Sequence, residues 1–352
     1  MYGDFVWWVG VVEDRKDPEK LNRARVRVFG YHSQSTSDIK TEDLPWATVM
    51  MPTTSAGTSG IHESPHGLVE GSWVLGFFRD GPDAQDPVII GTVASQFAEA
   101  PQEGRGFRDP SGTYPKADYI GKADVNVHAR GDSSEVVSNK ISTVTLDVPT
   151  ASGATWSEPE TPYAPEYPYN HVVETESGHI TELDDTTGAE RIHEYHRSGT
   201  FREVYPDGTV VTRIVAKEYT VVAGDDFVNV KGNVKLTIDQ SCDTYIKGDW
   251  NIKVDGNLNE TIGLSRTTTI GQSDTESVGG SRSTTIGGGV TESFASRSTS
   301  ISGSDSLSIG GKHTVSAPDA SVVYSKGKIQ VVKGDIIDTG VVLHTHGHSG
   351  GF

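Results

Sequence analysis

The chain has 352 residues, 40 glycines, 34% hydrophobic residues and a formal net charge of −18. The acidic balance repels phosphate backbones and argues against nucleic acid as a partner, and a single cysteine, Cys242, excludes an intrachain disulfide. So polar a composition means either disorder or a repetitive fold that buries little per chain, and the order of the residues decides between them.

The N-terminus, MYGDFVWWVGVVEDR, lacks the basic and apolar segments of a signal peptide. No apolar run approaches the roughly 20 residues that span a bilayer. The expectation is a protein made in the cytoplasm that meets a membrane by some means other than a transmembrane helix.

Residues 1–95 read as short strands separated by turns: Phe5 to Val12, Ala24 to Gly30, Trp46 to Met51, Ser72 to Arg79 and Pro87 to Val93. In ARVRVFG, Arg25 and Arg27 alternate with Val26 and Val28, so each set takes one face. Five short strands with one apolar face each predict a small closed barrel of the OB type. Trp7, Trp8 and Trp73 would serve it as a docking surface and not as platforms for stacked bases. Residues 96–168 are rich in proline and glycine, and Trp156, Tyr163, Tyr167 and Tyr169 lie among the prolines. This composition predicts an extended strap lying on another element, because a free linker needs fewer aromatic residues.

Residues 169–313 begin with alternating segments, His171 to Glu182 and Glu190 to Tyr205. Within them His179, His193 and His196 are read as packing or surface residues, and Glu182, Asp184 and Asp185 as a solvated turn and not an acid pair. A repeat follows. Aliphatic residues stand at Val222, Val230, Ile238, Ile246, Val254, Ile262, Ile270, Val278 and Ile286, at a constant spacing of eight. Phe294 continues the series, and the register then slips by one to Ile301 and Ile309. Glycine follows most of these residues by one or two positions.

One large apolar side chain per octad cannot offset an ordering entropy of roughly 1–2 kcal/mol per residue in a chain folding alone. Three chains wound about a common axis can stack these side chains in layers. Glycine then permits the turn between strands, and each strand finds its ladder partner in another chain. A single-chain solenoid usually needs more apolar residues per turn. The expected fold is all-β: an N-terminal OB-fold barrel, an extended linker and an intertwined triple-stranded β-helix of a homotrimer.

Residues 314–352 form the expected pointed tip, ending HTHGHSGGF. In a strand His344 and His346 face one side. Three copies would bring six imidazole nitrogens to the axis, a set suited to iron or another transition metal rather than to four-coordinate zinc. Whether His348 adds a ligand stays open.

The segments FVWWVGVVEDRKDP, RVRVFGYHS, LPWATVMMP, HGLVEGSWVLGFFRDG and QDPVIIGT, with YPYNHVVETESGHITELDDTTGAERIHEYHRSGTF, resemble the baseplate central spike proteins of contractile-tailed bacteriophages. The second stretch is also similar to type VI secretion spikes. FRDPSGTYP and EPETPYAPEYPYN favour the phage form. The resemblance implies a homotrimer in the virion's tail baseplate, docked on a hub protein and driven through the host outer membrane. It also implies an iron site at His344 and His346, one ion per trimer, or a separate tip protein as cap. Some members insert a lysozyme domain after the barrel. Here the interval is only residues 96–168, so no catalytic residue is expected. A trimeric receptor-binding fibre would carry a globular tip, and a tailspike glycosidase would need a carboxylate groove wider than this shaft allows.

Overall fold

A computed structural model describes residues 6–61, 67–94, 123–132, 144–314 and 316. Among them no α-helix occurs, and the only helical turns are two short 3₁₀ segments, Thr41–Asp43 and Gly81–Asp83. The fold is all-β, as expected.

Strands β1 (Val6–Asp14), β2 (Arg23–Val28), β3 (Trp46–Val49), β4 (Trp73–Phe78) and β5 (Pro87–Thr92) close into a barrel in the order β1-β2-β3-β5-β4. The β3–β5 pair is parallel and the other neighbours are antiparallel. The period-two pattern of β2 sends Ala24, Val26 and Val28 inward, where they meet Trp8, Val12, Val74, Phe78 and Ile89. Trp8 is a core residue and so offers no outward platform, whereas Trp7 is exposed and packs edge-on against Phe77.

The outer face of β2 is not left to solvent. Arg27 is buried, its Nε donating to Glu13 Oε1 and its two Nη atoms to the carbonyls of Ser33 and Ile39. The loop after β2 thus covers that side, and Thr41 Oγ1 donates to the other Glu13 oxygen. The pair is satisfied from both partners, the condition under which a buried ion pair is tolerated.

Gly76 marks the tightest point of the barrel, beside a register shift between β4 and β5. A Cβ there would sit 2.2 Å from the Val88 carbonyl oxygen and 2.3 Å from Trp8 Cζ2. Backbone cannot yield as a side chain can. Gly76→Ala should therefore destabilise the barrel by roughly 1–3 kcal/mol or more. A lowered barrel melting transition in differential scanning calorimetry checks this; an unchanged one would contradict the packing described.

A short hairpin, β6 (Val148–Pro149) with β7 (Thr155–Trp156), precedes a five-stranded antiparallel sheet. Its strands are β8 (Asn170–Glu174), β9 (Ile180–Asp184), β10 (Arg191–Tyr195), β11 (Phe201–Val204) and β12 (Val210–Arg213), joined as a meander in sequence order. The turns use Gly178, Gly188, Gly199 and Gly208, all with positive φ. Arg15 of the barrel reaches this sheet's first turn, donating to Glu176 Oε1 at 2.8 Å.

Candidate functional site

The sheet β8–β12 has two unlike faces, and the polar one is inside. Cross-strand pairing aligns Val172, Glu182, His193, Glu203 and Val211 in one row, with Asp184 and Arg191 beside it. Glu182, Asp184, Arg191, His193 and Glu203 are all buried. The opposite face carries the row His171, Leu183, Ile192, Val204 and Val210. Within one chain, Leu183 is 51%, Ile192 45% and Val210 51% exposed. A sheet that hides its charges and shows its aliphatic row is built to be covered on that second face.

What hides the charges is the strap. Segments 123–132 and 158–168 lie over the polar face. His128 is fully buried with Nδ1 3.1 Å from Glu182 Oε1, and Asn170 Nδ2 donates to the His128 carbonyl. Arg191 donates from Nη2 to Glu182 and from Nη1 to Glu203 at 2.8 Å, and its guanidinium lies 4.8 Å from the Tyr163 ring centroid. Thr161 Oγ1 donates to Glu203, Asn126 Nδ2 to Glu174, and Tyr205 OH to the Pro159 carbonyl. Arg213 donates to Glu158 at 2.7 Å. The two strap segments also abut each other, since a Cβ on Gly131 would meet the Pro165 carbonyl oxygen at 2.3 Å.

Burial alone would raise the Glu182 pKa. The imidazoles of His128 and His193 and the charge of Arg191 overcome that and hold it well below the usual value. Tyr163, half-buried and beside Glu182, is pushed up, by its partial burial first and then by that carboxylate. Glu182 is thus the hub of a buried ionic cluster. This corrects the solvated-turn reading: Glu182 and Asp184 are buried, and only Asp185 of that group is exposed. His193 is a packing residue, while His196 is exposed. The alternation of charged and aliphatic residues in 182–204 was visible in sequence, but alternation does not say which face turns inward.

Beyond β12 the backbone changes character. Through 214–250, and again through 251–314, it runs extended with no strand ladder among the described residues. A bend follows each octad aliphatic residue, at 223–224, 231–232, 239–240, 247–248 and 255–256, and onward at the same interval to 287–288. The next bends, at 295 and 302–303, reproduce the one-residue slip after Phe294. The octad side chains are only half-covered by their own chain, from 43% exposed at Ile246 and Ile309 to 57% at Phe294.

His344 and His346, like His348, lie outside the described residues. Among the described residues no cluster of three or more His, Cys, Asp or Glu side chains is placed to hold a metal ion.

Two family models match the chain: the Gp5 N-terminal OB domain over residues 30–170, and the bacteriophage T4 gp5 C-terminal trimerisation domain over residues 210–294. Among curated proteins the chain is similar to Protein Gp5 of Vibrio phage KVP40, 40% identical over 267 residues, which is 66% of this chain and 63% of that protein. It is also similar to the pre-baseplate central spike protein Gp5 of Enterobacteria phage T4, 46% identical over 115 residues, 31% of this chain and 20% of that protein. The matches thus span less than two thirds of either relative's length. With its closed five-stranded barrel, its octads and these two domain matches together, the chain is homologous to the Gp5 proteins of phages KVP40 and T4.

Proposed function

We propose that three copies of this chain form a structural, non-enzymatic spike at the centre of a contractile-tail baseplate. The barrel docks on a hub protein at the end of the tail tube, and the shaft is driven point-first through the host outer membrane. The carrying observation is the run of extended octads that have no ladder partner among the described residues, most of them within the region matched by a trimerisation domain. Unpaired backbone of that length is stable only when other strands pair with it. The aliphatic row Leu183, Ile192, Val204 and Val210 supports the same reading, since it ends in β12, where that match begins.

The non-enzymatic reading is supported by what the interval after the barrel does. Of its described parts, 123–132 and 158–168 cover a sheet and 148–156 forms a separate two-stranded hairpin. Light scattering should give three times the chain mass, mass spectrometry should find the chain in purified tails, and a peptidoglycan-release assay should give no turnover. A monomer, or absence from tails, would overturn the spike; hydrolysis would overturn the non-enzymatic assignment.

At the tip, His344 and His346 of three copies would hold one iron ion in a set of six imidazole nitrogens. The ion would tie the three chains together. The variant His344→Ala with His346→Ala should remain a trimer while its iron, measured by elemental analysis, falls from about one per three chains to none. Unchanged metal content would refute the site and leave the histidines as a tail or as a socket for a separate tip protein.

A further inference from the structure

A second, longer repeat is laid over the octads. The segments NLNETIGLSRTTTIGQ (257–272) and SDTESVGGSRSTTIGG (273–288) share a sixteen-residue pattern, and GVTESFASRSTSIS (289–302) continues it with the one-residue slip. One octad therefore carries glutamate and the next arginine, in strict alternation: Glu260, Arg266, Glu276, Arg282, Glu292, Arg297. Each Glu stands two places before its octad's apolar residue (Ile262, Val278 or Phe294), and each Arg four places before the next.

Those positions share a side with the aliphatic residue, because a strand alternates with period two. Upstream octads fill them with Val228, Val234, Leu236, Trp250, Ile252 and Leu258. Coverage agrees even within one chain. Apolar side chains at these positions, such as Ile252 at 64% and Leu258 at 76%, are less exposed than those of opposite parity, Tyr219 at 82%, Val221 at 89% and Phe227 at 88%. The alternating charges are thus placed on the inward side.

We propose that these residues form an axial ionic ladder between copies of the chain, and that the ladder sets the register in which the three chains wind. The inference rests on the trimeric shaft described above. With a threefold axis and one octad per side, each chain's next octad lies over the preceding octad of the neighbouring chain. Every step along a side then passes from a Glu octad of one chain to an Arg octad of another. The two charges are two positions apart on adjacent strands, a diagonal that long side chains span. Within one chain each Arg already leans toward its Glu across the bend, at 3.2 Å for Arg266 with Glu260 and 2.6 Å for Arg282 with Glu276. Inward charges are costly unless paired, and their best-attested use is to fix register. A chain slipped by one octad would set Glu beside Glu and Arg beside Arg.

The test uses full-length chains. An acidic variant carries Arg266→Glu, Arg282→Glu and Arg297→Glu; a basic variant carries Glu260→Arg, Glu276→Arg and Glu292→Arg. Each alone should lose the SDS-resistant trimer. Co-expressed with different tags they should recover mixed trimers, because two of the three chain contacts become complementary. A control with Thr267→Glu, Ser283→Glu and Ser298→Glu, on the outward parity, should remain trimeric. An acidic variant that trimerises like the wild type, mixed expression that recovers nothing, or a control that dissociates would each overturn the ladder. A monomeric wild-type chain would overturn the trimeric shaft itself, which separates the two failures.

Discussion

Ile270→Asp should abolish assembly, giving a monomer by light scattering and no SDS-resistant band. The residue lies in the middle of the octad series, with its partners Ile262 and Val278 eight positions away on either side. In a threefold shaft the substitution is made three times at one height. Each copy loses the burial of an isoleucine, about 1.5–3 kcal/mol, and gains an unpaired charge that costs several kcal/mol more. The sum, on the order of 10 kcal/mol or above, matches or exceeds the whole stability of an ordinary domain. Rescue by the native charges is not available. Within two positions of the aliphatic row at 262, 270 and 278 stand only Glu, Thr, Ser, Gly, Leu and Gln, with no Lys or Arg. Thr269→Asp, one residue away on the other parity, should leave the trimer intact. A trimer from Ile270→Asp, or equal damage from Thr269→Asp, would contradict the inward placement of the octad residues.

The barrel and the repeat were legible in sequence for the same reason: both carry a strict period. Strand β2 alternates Ala24, Val26 and Val28 with arginines, and the five segments read from the sequence correspond to β1–β5. The octads place their bends where the glycines predict them. The strap was half legible. Its aromatic residues announced a packing surface, but a linker's partner is fixed by tertiary contact, and no local pattern names it. Tyr163 does pack, under Arg191, whereas Tyr167 and Tyr169 stay exposed in the single chain. The ionic cluster was illegible in a stricter sense. Hydrophobic patterning assigns charged residues to solvent, and on β9–β11 that rule inverts: the strap supplies Thr161 and His128 to the charges, while Leu183 and Ile192 face outward.

Loss of Arg191 should release the strap. Arg191 is the cation shared by Glu182 and Glu203, all three buried. Arg191→Met keeps much of the side-chain volume but takes from the buried Glu182 and Glu203 the cation they share, a change worth roughly 3–5 kcal/mol. Glu182→Gln is the milder partner, because Arg191 still pairs with Glu203. It should cost about 1–3 kcal/mol. Limited proteolysis within 158–168 reads the difference, with faster cleavage in Arg191→Met than in Glu182→Gln, and slowest in the wild type. The pH dependence follows from the lowered Glu182 pKa. A carboxyl whose folded value lies below its unfolded one stabilises the folded state above the unfolded value, 4.5, and loses that contribution as pH falls toward the folded value. Strap protection should therefore be flat above pH 4.5 and decline below it, and Glu182→Gln should remove most of that decline. Identical acid profiles for the two proteins would move the pH sensitivity elsewhere, and wild-type protection in Arg191→Met would mean that the strap is held by its backbone and Tyr163 packing rather than by the buried charges.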